Sequence, residues 1–190
     1  MKLIFFGGCF DPPHKGHYEI IKKCSKECHR FLIIPTLNSP LKNKISTTPA
    51  HHILEMLTLL IQGINQSIEI DEFDFTRCGP SYTIETIHYL KQKYPEYSIS
   101  MVMGVDQLIK FQQWKDYNEI MNSVHIIIFN RDGYIFTPLP EMSFTWVEDF
   151  KMDISSEKIK ADIETGELNK NALSHNIVNY IMENNLYGDI

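Results

Sequence analysis

Apolar residues fall along the chain in short unbroken runs, separated by longer stretches of helical spacing. Leu3-Ile4-Phe5-Phe6, Phe31-Leu32-Ile33-Ile34, Ile99 to Met103 and Val124 to Phe129 are such runs, bounded by Gly, Pro or Asn. A strand wetted on one face alternates in polarity. An unbroken run predicts a parallel strand buried on both faces. Between the runs, His17 to Cys28 places apolar side chains at Ile20, Ile21, Cys24 and Cys28, and His51 to Ile61 and Thr83 to Tyr94 also read as helices. Strand alternating with helix predicts crossover connections and an α/β fold with a doubly wound parallel sheet. Ile68 to Phe75 alternates in part and reads as a more exposed strand. Residues 36–48 and 132–143 read as loops, the first a mobile one. The C-terminal residues, from Phe144 on, read as one strand, Phe144 to Val147, and two helices forming a cap.

Composition narrows the class. The chain has 190 residues, 43% hydrophobic and 22% charged, with a net charge of −6. That is too apolar for a disordered chain and suits one domain, residues 1–190. The acidic balance argues against a nucleic-acid coat, which needs a basic stripe. No segment approaches the roughly 18 continuous apolar residues of a membrane span, and no signal-peptide pattern opens the chain. A reducing cytoplasm is the expected home. Cys24, Cys28 and His29 could suggest a metal, but no second ligand pair has zinc-site spacing, so small apolar residues on one helix face is the preferred reading. No metal site is expected.

The chemistry concentrates in Gly7-Gly8-Cys9-Phe10-Asp11-Pro12-Pro13-His14-Lys15-Gly16-His17, between the first strand and the first helix. Ligands of open parallel sheets bind beyond the carboxyl ends of the strands. Gly7 and Gly8 let backbone N–H groups approach a ligand, and the helix starting near Lys15 turns its positive end toward the same space. His14 and His17 lie three apart, on one face of a helical turn. Two imidazoles there suit phosphate oxygens or a metal. Phosphate is preferred, because no carboxylate at helical spacing completes a metal set. The competing reading is a histidine that merely caps the turn.

These residues resemble the nucleotidyltransferase superfamily marked by the paired-histidine HxGH motif, here His14-Lys15-Gly16-His17, and more narrowly the bacterial nicotinate-nucleotide adenylyltransferases. Four further stretches carry the likeness: Pro80 to Thr83; Gly104-Val105-Asp106 on to Phe111 and Trp114; Asn130 to Tyr134; and Ile154 to Lys160. The resemblance implies a Rossmann-like fold and adenylyl transfer from ATP to nicotinate mononucleotide, with Mg²⁺ carried on ATP. Its alternatives are a sister enzyme acting on nicotinamide mononucleotide or phosphopantetheine, and a nucleotide-binding regulator without catalysis. Partners are then the two nucleotides, with no nucleic acid and no membrane, and an assembly of identical copies is left open. By resemblance, His17 and His14 are the catalytic pair, and Gly7, Gly8, Cys9, Phe10, Gly104 and Asp106 border ATP.

At the C-terminal motif, Ser155 is placed to cap a helix, with Ile154 and Ile159 spaced for a hydrophobic staple. The helix N–H groups, Ser155, Ser156 and Lys160 could hold the β- and γ-phosphates; a capped surface helix with a solvated lysine is an equal reading. The family usually has Thr where this chain has Glu157, and Arg where it has Lys160. Lysine keeps the charge and loses the planar fork.

For the second substrate, Asp106 is placed to accept ribose hydroxyls, or else to cap the next helix. Trp114 offers a face to a pyridine ring, or else packs in the core; Trp146 reads as core. By resemblance, Tyr82 and Thr83 border the pyridine site, where backbone N–H groups read the acid, and Lys42 neutralises the mononucleotide phosphate. The family often has His before that lysine; this chain has Leu41. Arg131 is placed to serve a phosphate. His51 and His52 read as no site.

Overall fold

The structure, a computed structural model, describes residues 1–40, 46–64, 66–130, 139–150, 154–169 and 171–188. Six strands form one sheet: β1 (Lys2–Gly8), β2 (Arg30–Pro35), β3 (Ile68–Ile70), β4 (Ser98–Gly104), β5 (His125–Phe129) and β6 (Phe144–Val147). Every neighbouring pair is parallel, and the order is β3-β2-β1-β4-β5-β6. The unbroken apolar runs occupy the four central strands, as expected of strands with both faces covered. The two edge strands, at three and four residues, are the shortest.

Successive side chains of each central strand enter opposite cores. Ile4, Phe6, Phe31, Ile33, Val102, Ile127 and Phe129 face one layer, made by α1 (Lys15–Cys24), α2 (Ala50–Ile61), α6 (Ser156–Glu164) and α7 (His175–Glu183). Leu3, Phe5, Leu32, Ile34, Met101, Met103, Ile126 and Ile128 face the other, made by α3 (Thr83–Lys93), α4 (Val105–Leu108) and α5 (Tyr117–Ser123). The result is three layers, with the sheet in the middle. The two C-terminal helices complete the face begun by α1 and α2.

Strand order reverses direction between β1 and β4: the chain goes outward through β2 and β3, then returns to β4 on the other side of β1. The carboxyl ends of β1 and β4, at Gly8 and Gly104, therefore flank the crevice where such sheets bind ligands.

One expected element is shorter than its pattern. The strand ends at Ile70, and Phe73–Phe75 is a 3₁₀ turn. Asp71 stops the strand by accepting the Phe73 N–H on its own Oδ1 at 3.0 Å. Such a side-chain bond offers the backbone an alternative to the ladder. Phe73 then stacks on Tyr89 of α3, with centroids 3.9 Å apart.

The helix expected to run to Cys28 ends at Cys24; a 3₁₀ turn, Ser25–Glu27, follows, and Cys28 is extended. Cys24 lies in the apolar cluster and Cys28 packs against it. Burial pushes the Cys24 thiol up to about 12, with Cys28 beside it adding to the shift. Among the described residues, no group of three His, Cys, Asp or Glu side chains is placed to hold a metal ion, and no helix is long and apolar enough to cross a membrane.

Candidate active site

A cavity of about 420 Å³ opens across the ends of β1 and β4. The motif after β1 forms one wall. Phe10 adopts the left-handed conformation, φ 48°, and its ring is buried to 1% exposure. A Cβ on Gly8 would stand 3.2 Å from that ring, which would have to give way by a few tenths of an ångström. At Gly7 a Cβ would meet only Ile34 O at 3.9 Å and would project toward the cavity that Gly7 lines. The two glycines thus serve different purposes.

His14 is the residue before α1 and His17 lies in its first turn. The His14 backbone N–H donates to His17 Nδ1 at 3.2 Å. A neutral His17 ring must then carry its proton on Nε2, leaving Nε2–H as its donor. The two rings stack at 3.7 Å with 23° between their planes, and Phe10 meets His17 edge-on at 4.8 Å. Both imidazoles line the cavity, His14 being 2% exposed. Capping and cavity-lining, set against each other in the sequence reading, coexist here. The glycine inside the motif also gains a reason. A Cβ on Gly16 would come within 3.0 Å of His14 Cε1 and Nδ1.

Gly104 ends β4 and Asp106 sits in the first turn of α4. The Asp106 carboxylate folds back over Gly104, where any Cβ would collide with Oδ1. Its Oδ2 accepts from Gln107 Nε2 at 3.2 Å. Gly104, not Asp106, is the capping residue, and both line the cavity.

The far wall is the start of α6. Ser155 caps the helix by accepting the Lys158 N–H at 3.2 Å, and Ile154 and Ile159 belong to the same apolar cluster, as a staple requires. Ser156 Oγ donates to Pro12 O at 2.9 Å, tying α6 to the histidine motif. Ser155, Ser156 and Glu157 line the cavity. Lys160, expected at the triphosphate, instead turns onto Asp11 and is absent from the described cavity wall. One turn further along α6 than Ser156, it finds a buried carboxylate beneath the motif.

Asp11 was missed in the sequence although it stands inside the motif. It is 4% exposed and accepts from Ser46 Oγ at 2.7 Å, Tyr187 Oη at 2.6 Å and Lys160 Nζ. Burial alone would raise its pKa. The hydrogen bonds from Lys160, Tyr187, Ser46 and Thr48 outweigh burial and hold it below the usual carboxylate value.

At the other end, Tyr82 and Thr83 begin α3 and line the cavity, with Trp114 and Lys115 opposite. Trp114 is half-buried, its ring 5.6 Å from Phe111, so one part of it is core and another is cavity wall. Lys115 Nζ lies 4.4 Å above the Tyr82 ring and pairs with Glu85 at 2.9 Å. Asp74 was also missed. Its side chain is 7% exposed, and it lines the same end. Burial pushes its carboxyl up to about 6, against the opposing pull of Arg77. The spacing of Asp74 and Arg77, three apart before Tyr82-Thr83, was the available signal.

Among the described residues, Lys115 is the one lysine or arginine in the cavity wall. The positive field there comes instead from three helix N-termini: α1 at His14 to His17, α3 at Tyr82 and Thr83, and α6 at Ser155 and Ser156. Each presents backbone N–H groups and the favourable end of the helix dipole to an anion. Lys42 and Arg131, the expected side-chain cations, lie outside the described residues. Trp146 packs on the second core and His52 bonds Tyr180 Oη at 2.8 Å; neither lines the cavity.

Comparison with known proteins bears on the family and the fold. The cytidylyltransferase-like family model matches residues 5–162. A "Probable nicotinate-nucleotide adenylyltransferase" of Prosthecochloris aestuarii is 34% identical over 203 residues, covering 100% of this chain and 99% of the relative. One of the same name from Leptospira interrogans is 36% identical over 191 residues, covering 96% and 94%. The nicotinate-nucleotide adenylyltransferase of Bacillus subtilis is 31% identical, covering 98% of each chain. A solved Plasmodium falciparum nicotinic acid mononucleotide adenylyltransferase, complexed with NaAD, superposes with a TM-score of 0.83 over 98% of each chain, at 19% identity. That last likeness establishes the fold; the full-length sequence relatives establish more, and on them the chain belongs to the nicotinate-nucleotide adenylyltransferase family.

Proposed function

We propose that this protein, residues 1–190 acting as one domain, transfers the adenylyl group of ATP to nicotinate mononucleotide, releasing pyrophosphate. The observation that carries the reading is the stacked His14–His17 pair at the N-terminus of α1, facing a cavity at the sheet's switch point. An oxygen of the mononucleotide phosphate attacks the α-phosphorus, and the bond from that phosphorus to the bridging β-oxygen breaks. The nucleophile is already ionised near neutral pH, so no strong general base is required. Catalysis is then positioning, with stabilisation of the charge growing on the α-phosphoryl and leaving oxygens.

His17 Nε2–H is the donor for an α-phosphate oxygen, and the stacked His14 fixes the ring's plane. Gly7 to Phe10, Gly104 and Asp106 border the nucleotide, with Asp106 accepting from ribose hydroxyls. Ser155, Ser156 and the first N–H groups of α6 receive the outer phosphates. Lys160 holds that helix to Asp11 and stands ready behind it. A divalent cation, Mg²⁺ by preference, arrives on ATP as part of the substrate and keeps most of its ligands from phosphate and water. Tyr82, Thr83 and Trp114 take the pyridine ring and its carboxylate, and Lys42 and Arg131 supply charge to the mononucleotide phosphate. The same fold with reduced thiols at all four cysteines suits the cytoplasm.

The test is pyrophosphate release from ATP with nicotinate mononucleotide, nicotinamide mononucleotide and phosphopantetheine offered in turn. Turnover is expected with the first, and His17→Ala should lower it on the order of a hundredfold or more. Preference for another acceptor, or ATP binding without pyrophosphate release from any, would replace this reading with a sister transferase or a regulator.

A further inference from the structure

Asp74 is the unexplained group in the cavity. Its carboxylate stands at the acceptor end, 93% out of solvent by side-chain area, where the reading above places an acid. Oδ1 is partly satisfied. Thr86 Oγ1 of α3 approaches at 3.4 Å, and Arg77 Nη1 stands at 3.9 Å, too far for a hydrogen bond. Among the described residues no donor reaches Oδ2. The hydrogen bonds of the nearby cations go mainly to another carboxylate. Arg77 Nη2 and Lys115 Nζ both bind Glu85, on Oε2 and Oε1. Glu85 adds like charge, as does Asp71 at the end of β3, which is itself paired with Lys93 at 2.9 Å. Among the described residues, Lys115 and Arg77 Nη2 are thus held by Glu85, Glu85 and Asp71 are repulsive, and the buried Arg77 Nη1, facing Oδ1 at 3.9 Å without a hydrogen bond of its own, is the cationic group left to Asp74.

A second carboxylate brought into this end meets one whose side chain is already largely buried. Two such groups do not both stay ionised; one takes a proton, and the pair then shares a short hydrogen bond. We propose that Asp74 takes up a proton when the acid binds, meeting the acceptor's pyridine carboxylate as a neutral carboxyl that donates from Oδ2. One proton is taken from solvent as the acid enters, and none is needed for an amide. Burial already holds the carboxyl near 6, between its ordinary value and neutrality. The inference rests on the acceptor reading above and adds to it the means by which a cavity wall containing a carboxylate accepts an acid.

The linkage has a definite sign. Binding that takes up a proton strengthens as pH falls, by up to about tenfold per pH unit between the free and bound pKa values of Asp74. Calorimetric titration of the intact enzyme with nicotinate mononucleotide, in two buffers of different protonation enthalpy at pH 7.5, reads the uptake directly. Nicotinamide mononucleotide carries the same phosphate and supplies the background from phosphate and histidines. The expected result is an excess of up to one proton for the acid over the amide. Asp74→Asn should abolish the excess while binding the acid at pH 8 at least as tightly as wild type. Thr86→Val, which leaves the carboxyl in place, should keep the excess. Equal proton uptake for acid and amide, or an excess that survives Asp74→Asn, overturns the proposal alone. Failure of the wild type to bind nicotinate mononucleotide at all overturns the acceptor assignment and this inference together.

Discussion

Asp11→Asn tests the frame on which the site is built. The substitution keeps the shape and removes the charge that Ser46, Lys160 and Tyr187 converge on, from 35, 149 and 176 residues away. Removing one member of a buried ion pair costs about 3–5 kcal/mol, because the partner is left uncompensated. Lys160 is 31% exposed and can regain some water, which favours the lower end, about 3 kcal/mol. The two hydroxyls lose charge-assisted bonds as well, though the amide oxygen still accepts one of them. In a domain of this size 1 kcal/mol shifts the melting temperature by about 2–4 °C, so a fall of about 6–12 °C is expected at pH 7.5. The Asp11 pKa is lowered on folding, so its stabilisation is complete above the unfolded value of 3.8 and is lost as pH falls through the folded value. The gap between variant and wild type must therefore close below about pH 4. Tyr187→Phe removes a single bond to the carboxylate and should cost less, about 1.5–3 kcal/mol. Melting curves of the three proteins across pH 3 to 8 decide the matter. An Asp11→Asn variant that melts within a degree of wild type at pH 7.5, or a gap that is unchanged at pH 3, refutes the account of Asp11 as the tie between motif and C-terminal helices.

Gly16→Ala would place a Cβ 3.0 Å from the His14 ring, which is already stacked on His17, so turnover should fall about tenfold or more with little change in melting temperature; full activity would show that the ring stack tolerates displacement. The Asp74 pKa is raised on folding, from 3.8 to about 6, so stability should decline as pH rises through that window and level off above it. The whole effect is about 3 kcal/mol at most, and Asp74→Asn should flatten that part of the urea-unfolding profile. Ser156→Ala removes the 2.9 Å bond to Pro12 O, a neutral bond of about 1 kcal/mol, and should raise KM for ATP more than KM for the acceptor; the reverse pattern would detach α6 from the triphosphate.

The fold was legible where physics is local. A four-residue apolar run such as Phe31 to Ile34 can satisfy two covered faces only as a central strand, and it does, with Phe31 and Ile33 in one core and Leu32 and Ile34 in the other. The strand at Ile68 was legible in position and not in length, because its end depends on the Asp71 side chain taking the Phe73 N–H. The short helices α4 and α5 carry too few turns to show a period, and α5 begins after Asp116 in the left-handed region, φ 53°, which no pattern of apolar spacing announces. The histidine pair was legible because one turn of helix fixes both its spacing and its face. Asp11 was in plain view and unreadable, since its meaning lies in partners that the chain brings together only on folding. Asp74 was unreadable for a related reason: burial, not residue type, makes a surface-seeking carboxyl into a group poised near neutrality.

The departures at Glu157 and Lys160 acquire a common explanation from the same frame. A lysine at 160 reaches the buried Asp11 as a point charge, which needs no planar fork, and it lies over the Tyr187 ring with its Nζ 5.0 Å from the centroid. Glu157 occupies the first turn of α6, where the helix dipole favours an acidic side chain. It also lines the cavity to which the proposed function assigns the triphosphate. The two substitutions shift the positive contribution of α6 from a side chain at its face to the backbone at its end. Backbone N–H groups are fixed in direction and cannot retreat into solvent, so an anion held by three helix ends is positioned more narrowly than one held by flexible cations. For a reaction whose nucleophile needs no activation, placing the phosphorus in line with the attacking oxygen is most of the catalytic task, and a cavity lined by helix ends and one stacked imidazole pair is suited to it.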